Sequence, residues 1–220
     1  MQLEMSQRLT CGLRVGLVAF TVILMAGKAS AQTLYCVVED WSYDQNPNGV
    51  WSYHDAGGDV IQSVVDNWLP GDFNPGQRAW TDAGQVGVPG MMLSADVANG
   101  LDFPPGTVGA HGKTTLRWTA PEDGNVSLFG GTWLMRNIGR SQEIHVIYNE
   151  STVFIRTPLI SHGKKPLDFD SFLPQSFANG VGGEDALIFG VRAGDTVDFT
   201  NQQQGAGASE SHPVKPWGEA

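Results

Sequence analysis

The chain is short of charge, of cysteine and of long apolar runs. Asp, Glu, Lys and Arg make up 16% of its 220 residues. That is too few for the charged, helix-favouring composition of coiled coils and helical bundles. The basic residues are the scarcer sign, with 13 Lys and Arg against 23 Asp and Glu and a net charge of −10. So acidic a chain is a poor neutraliser of phosphates, which argues against nucleic acid as a partner. The histidines, His54, His111, His145, His162 and His212, show neither H-x-H nor H-E-x-x-H spacing. With no cysteine pair to help them, they define no zinc centre. A G-x-S-x-G elbow, a phosphate loop and a dinucleotide fingerprint are also missing, so the sequence names no cofactor, no metal ligand and no catalytic residue.

What is present is turn chemistry and apolar bulk. The chain has 28 Gly and 12 Pro, with 41% hydrophobic residues and 7 Trp. A real core can form from such material, so full disorder is not expected.

The first segment is set apart. Arg8 and Arg14 precede the apolar run Val15 to Gly27, and Ala29-Ser30-Ala31 follows as a small-x-small site. This is the pattern of a secretory signal peptide over residues 1–31. The run falls below the ~18–20 residues of a membrane span, and no second long run follows. Removing residues 1–31 takes away Arg8, Arg14, Lys28 and Glu4, which moves the net charge from −10 to −12. Cys11 leaves with them. Cys36 then has no partner for an intramolecular disulfide and reads as a buried thiol. The expected location is secreted, periplasmic or at the cell surface, with no transmembrane span after cleavage.

Beyond the segment, turn signals recur: Asn46-Pro47-Asn48-Gly49, Ala56-Gly57-Gly58-Asp59, Glu122-Asp123-Gly124-Asn125 and Ala193-Gly194-Asp195. Between them lie short stretches of period-2 alternation, the mark of antiparallel strands with one buried face. Leu116 and Trp118 alternate with Arg117 and Thr119. Ile144, Val146 and Tyr148 share a face, as do Val153 and Ile155 against Phe154 and Arg156. Leu187, Phe189 and Val191 fall together, and so do Val197 and Phe199. Residues 60–68 fit either a helical turn or a strand, and 66–81 and 83–101 read as long loops with short strands. The expected fold is all-β: an antiparallel two-sheet, jelly-roll-like β-sandwich over 32–200 with long loops in its N-terminal half. Residues 201–220, with three Gln in a row and little large apolar material, read as a polar tail dispensable for folding.

Several motifs, in order, carry a resemblance. They are Asn46-Pro47-Asn48-Gly49-Val50-Trp51-Ser52-Tyr53, Pro104-Pro105-Gly106-Thr107-Val108-Gly109-Ala110-His111-Gly112, and Leu116-Arg117-Trp118-Thr119-Ala120-Pro121-Glu122-Asp123-Gly124. Glu143-Ile144-His145-Val146-Ile147-Tyr148-Asn149 and Val191-Arg192-Ala193-Gly194-Asp195-Thr196-Val197-Asp198-Phe199 complete the set. The chain resembles secreted bacterial proteins of the PEP-CTERM type, whose ectodomain is a jelly roll similar to carbohydrate-binding modules. It departs from them at His54, where the family often has Gly, at the shortened His111-Gly112 loop, and after Phe199, where no closing strand is recognisable. The family's sorting tail, a hydrophobic helix with a basic end, has no counterpart after residue 200.

The export pattern, the β-sandwich pattern and the supply of aromatics favour a binding or extracellular-matrix module over an enzyme, with a polysaccharide or cell-surface glycan as the favoured partner. Sugar faces need flat aromatics with polar groups beside them. Trp51 and Tyr53 lie at i, i+2 beside Asp55, and Trp80 lies near Asp82. These three, with His111 in its recurrent loop, are the candidate ligand-binding residues. Trp51 and Tyr53 equally fit core positions, and Trp118 and Trp133 read as core. Structural calcium has two loop candidates, Glu122-Asp123-Gly124-Asn125 and Asp168-Phe169-Asp170. A polysaccharide hydrolase or lyase on the same fold, and a purely structural surface protein, are the alternatives. No carboxylate pair stands out for the first of them.

Overall fold

The computed structural model describes residues 33–66, 68, 77–82, 90–93, 107–132, 141–157, 160–161 and 175–204. Residues 1–31, read above as a signal peptide, Trp133, Asp168-Phe169-Asp170, His162, His212 and residues 205–220 lie outside them.

Among the described residues fourteen strands are arranged in antiparallel ladders, and the fold is an all-β, sandwich-like one. In chain order they are β1 (Trp51–His54), β2 (Ser63–Val65), β3 (Ala79–Thr81), β4 (Gly90–Leu93), β5 (Val108–His111), β6 (Thr115–Thr119) and β7 (Gly124–Ser127). Then come β8 (Gly131–Thr132), β9 (Ser141–Tyr148), β10 (Thr152–Arg156), β11 (Ile160–Ser161), β12 (Gln175–Ser176), β13 (Ile188–Val191) and β14 (Thr196–Gln204). The main sheet runs β1-β6-β14-β9-β10, with β11 also on β9; a second sheet runs β2-β3-β4-β5. Two-stranded ladders, β12-β8 and β13-β7, complete the pairing. Within the stretch 60–68, open between helix and strand in the sequence, Ser63–Val65 form strand β2.

The alternation decides which side of the main sheet is dry. Trp51, Tyr53, Leu116, Trp118, Val146, Val197 and Phe199 are buried on its inner face. They form one continuous core with Trp80, Met91 and Val108 of the second sheet and with Val126, Phe189 and Val191 of the β13-β7 ladder. Tyr53 and Trp80 bring rings from the two larger sheets to 5.9 Å. Such buried aromatic contact is the main favourable term for a fold this rich in loops.

Residues 33–50 carry no strand, yet they are tied in by side chains. Asn46 Nδ2 donates to the carbonyls of Tyr53 and Ile61, both at 2.8 Å, and its Oδ1 accepts from Tyr53 N–H. Asn48 and Trp51 exchange backbone bonds of 2.8 and 3.0 Å around Gly49, whose φ of +58° suits a tight hairpin turn. Cys36 is buried, as the sequence suggested.

Two expectations are corrected here. Strict alternation put Phe154 on the outer face with Arg156. A register shift between Val153 and Ile155 instead buries both Phe154 and Ile155. The bulge adds one residue, so the period breaks, and Phe154 packs on Phe189 at 4.9 Å. The second correction concerns the end of the domain. β14 does not stop at Thr200: Asn201–Gln204 pair with residues 141–144 of β9. Polar side chains here do not prevent a strand, because the backbone of Asn201–Gln204 pairs with β9 and Asn201 N–H also donates to Thr114 O at 3.2 Å. Asn201 is buried, and its Nδ2 donates to Gly112 O at 3.0 Å. A chain ending at Thr200 is therefore expected to melt roughly 5–10 °C below one ending at Gln204. Equal midpoints in thermal circular dichroism would show that the four residues are dispensable.

Buried tyrosines set the alkaline limit of stability. The Tyr43 hydroxyl lies 2.9 Å from the Arg78 carbonyl and 3.2 Å from that of Leu93, and it accepts from Leu93 N–H at 2.8 Å. Burial pushes its ionisation up to about 12, and Tyr148 also rises to about 12 through burial and its bond to Asp195. Burial raises Tyr53 as well. Ionisation is harder in the folded state than in the unfolded one. The stabilisation is therefore fully present below the ordinary tyrosine value of ~10 and is lost as pH rises towards 12. Tyr43 alone accounts for roughly 2 kcal/mol on this scale. Urea midpoints are expected to fall steeply between about pH 10 and 12, and Tyr43→Phe should flatten that slope.

Candidate functional site

The outer face of the main sheet is polar. Its register places His54 opposite Thr115, Thr115 opposite Thr200, Thr200 opposite His145, and His145 opposite Arg156. One row of hydrogen-bonding side chains thus crosses all five strands, over roughly 19 Å at the usual strand spacing of ~4.8 Å. A second row runs Ser52, Arg117, Asp198 and Ile147. Cross-strand neighbours on one face lie close enough to interact, and here they do.

Arg117 organises the centre. Its Nε donates to Asp198 Oδ1 at 2.7 Å, and its Nη2 donates to Asp198 Oδ2 at 2.8 Å. Nη2 also lies 2.8 Å from Glu150 Oε1. The Asp198 hydrogen bonds raise Arg117 above its ordinary value, against the opposing effect of burial. The pair is bidentate and planar, which fixes both side chains more firmly than a single contact would. Thr115 and Thr200 share a hydroxyl bond of 2.9 Å beside it. Further along, Glu143 Oε2 lies 3.2 Å from His145 Nε2, and its Oε1 lies 3.9 Å from Arg156 Nε.

Two turns wall this surface. Asn149 and Glu150, between β9 and β10, take φ of +48° and +62°, the double left-handed geometry of a tight hairpin turn. That turn carries Glu150 to Arg117. On the other side, residues 55–59 close a loop through Asp55 N–H to Asp59 O at 2.9 Å. Asp55 Oδ1 accepts from Gly57 N–H and Asp59 N–H at 2.8 and 3.0 Å. Between the walls lies an open cleft of about 380 Å³, with Lys113, Thr115, Arg117, Ile147, Asp198 and Thr200 among its lining. Its volume falls at the low end of small-molecule sites, ~300–1,000 Å³.

The residues singled out from the sequence do not meet in this cleft. Trp51 and Tyr53 are both 0% exposed. Their shared face is the inner one, so they offer no ring to a ligand. Trp51 Nε1 donates to Asp40 Oδ2 at 3.1 Å, and Tyr53 stacks at 4.3 Å on Trp41. Trp80 is not in a loop but in β3, 4% exposed, with Nε1 bonded to Ser42 O at 2.7 Å. His111 closes β5 and sits edge-on to the buried Trp68, 5.1 Å between ring centres. Core packing explains the three aromatic positions, and His111 is half-buried against Trp68.

The cleft residues were in view, though unread. Arg117 stands on the polar face of its strand in the alternation, and Asp198 stands between Val197 and Phe199. Their juxtaposition depends on which strands pair, and residues 81 positions apart carry no local signal of it. As for calcium, Asp123 Oδ1 accepts from Ala193 N–H at 2.8 Å, which is turn chemistry. Among the described residues no group of three or more His, Cys, Asp or Glu could hold a metal ion. No described helix is long and apolar enough to cross a membrane.

No family model, curated protein or solved structure matches the chain.

Proposed function

We propose that the protein is an exported binding module whose ligand is a polysaccharide or cell-surface glycan, held in the polar cleft of the main sheet. The observation that carries the reading is the two-row array of Thr, Arg, Asp and His side chains beneath that cleft. A sugar is a polyol, so recognising it requires several donors and acceptors held at fixed spacing, with an apolar spot for its C–H face. Thr115, Thr200 and Lys113 supply the polar groups and Ile147 the apolar one. The export pattern in residues 1–31 and the resemblance to secreted bacterial proteins support the same reading.

Binding is favoured over cleavage of the polymer. A glycosidase needs a carboxylic acid and a carboxylate set about the bond to be broken. Asp198 and Glu150 are instead both engaged by Arg117, at 2.7 and 2.8 Å.

The test is affinity electrophoresis against a panel of neutral and acidic polysaccharides. Lys113→Ala and Gln202→Ala lie in the cleft lining, away from the core. They should weaken retardation roughly tenfold, the equivalent of one lost polar contact, with unchanged thermal midpoints. A folded protein that no polysaccharide retards would end the glycan reading.

A further inference from the structure

His54 and Gly58, which line the cleft, form a relay with Ser52, two residues before His54 on β1. Ser52 Oγ lies 2.8 Å from His54 Nε2, and His54 Nδ1 lies 2.8 Å from the Gly58 carbonyl oxygen. A carbonyl oxygen only accepts, so Nδ1 carries the ring hydrogen. In the neutral ring Nε2 then holds the lone pair, and the Ser52 hydroxyl donates to it. This is the tautomer that a general base for a serine requires, held elsewhere by a carboxylate on the second ring nitrogen. Here the loop of residues 55–59 holds it. Gly58 takes φ of +92°, a conformation that side chains disfavour.

The surroundings suit acyl transfer. Ser52 and His54 are 6% and 5% exposed, so bulk water is largely kept from the pair. His54 lines the cleft, and Ser52 stands directly opposite Arg117, which also lines it. Arg117 commits Nε and Nη2 to Asp198 and Glu150, and Nη1 makes no bond among the described residues. A fixed cation with a spare donor is what a developing oxyanion needs.

We propose that Ser52 is a nucleophile, activated by His54, that cleaves O-acyl esters of a polyhydroxylated alcohol. The choice of alcohol rests on the polyol reading of the cleft; the nucleophile does not. Ser52 Oγ bonds to the acyl carbon while its proton passes to His54 Nε2, and the carbonyl oxygen takes up the negative charge near Arg117. Collapse breaks the bond to the alcohol, which leaves with the proton from Nε2. Water then attacks the acyl-serine, again giving its proton to Nε2. The carboxylic acid departs, and Ser52 regains its proton. A backbone carbonyl steadies the imidazolium less than a carboxylate would, so turnover is slow and covalent capture is the sensitive readout.

The full chain is treated with a fluorophosphonate, and the adduct is mapped by mass spectrometry. One adduct on Ser52 is expected, absent in Ser52→Ala at an unchanged thermal midpoint. His54→Gln should slow labelling roughly 100-fold, the scale of a lost general base. Should that variant lose its fold, His54→Asn serves in its place and should slow labelling to a similar extent. Failure of folded wild type to label, or an adduct that survives Ser52→Ala, overturns the nucleophile. Acetate release from an O-acetylated polysaccharide tests the alcohol, and labelling without release overturns the substrate class. Labelling by a protein that no polysaccharide retards leaves the nucleophile standing and removes the glycan reading alone.

Discussion

Trp51→Ala is expected to unfold much of the protein, so a loss of binding in that variant would say nothing about ligand contact. The indole is fully buried in the edge strand of the main sheet, opposite Trp118 in register. Its removal leaves a cavity between β1 and the segment 33–50, a loss of about 3–5 kcal/mol for a buried Trp. It also takes from Asp40 Oδ2 the Nε1 donor at 3.1 Å, leaving that oxygen the Cys36 N–H at 3.2 Å. For a domain of this size the midpoint should drop roughly 10–15 °C. Trp51→Phe, which keeps most of the volume, should recover more than half of that. If Trp51→Ala melts within about 3 °C of wild type, the placement of Trp51 in the core is wrong and a ligand-facing role returns.

The second large effect is expected at Asp198. This carboxylate is buried in the central strand and accepts two bonds from Arg117. Asp198→Ala leaves a guanidinium on a half-buried face with only Glu150 to balance it. Breaking a buried pair on one side costs about 3–5 kcal/mol, and Glu150, more exposed, offsets part of that. A loss of about 2–4 kcal/mol in urea unfolding is expected. The double variant Arg117→Met, Asp198→Leu should regain most of it, because the desolvation cost of both charges disappears with them. The same double variant should lose polysaccharide retardation, which separates the pair's part in the cleft from its part in folding. A cost below about 1 kcal/mol for Asp198→Ala would place the pair among ordinary surface bridges.

The fold was legible because period-2 alternation is a local property. Leu116, Trp118, Val146, Val197 and Phe199 lie on the inner face that their spacing implied. The turn at Arg192–Asp195 formed where Gly194 permits φ of +89°. Phe154 was misread because a bulge inserts one residue without any mark in the local pattern. Asn201–Gln204 read as tail because their side chains are polar, yet a strand forms wherever its backbone groups find a partner, here β9. The aromatic candidates for a site were chosen by residue type, and residue type alone does not tell a ligand platform from a core anchor.

By itself, then, the sequence determined the class of the fold, the turn positions and the inner face of the strands. Each of these follows from backbone geometry over a few neighbouring residues. Tertiary structure alone decided the order β1-β6-β14-β9-β10, and with it the meeting of Arg117 with Asp198, Thr115 with Thr200 and His54 with the Gly58 loop. Strand pairing is a competition among many ladders of similar local energy. It is settled by which arrangement buries Trp51, Tyr53, Trp118 and Phe199 together, and the polar face opposite them is assembled as a consequence.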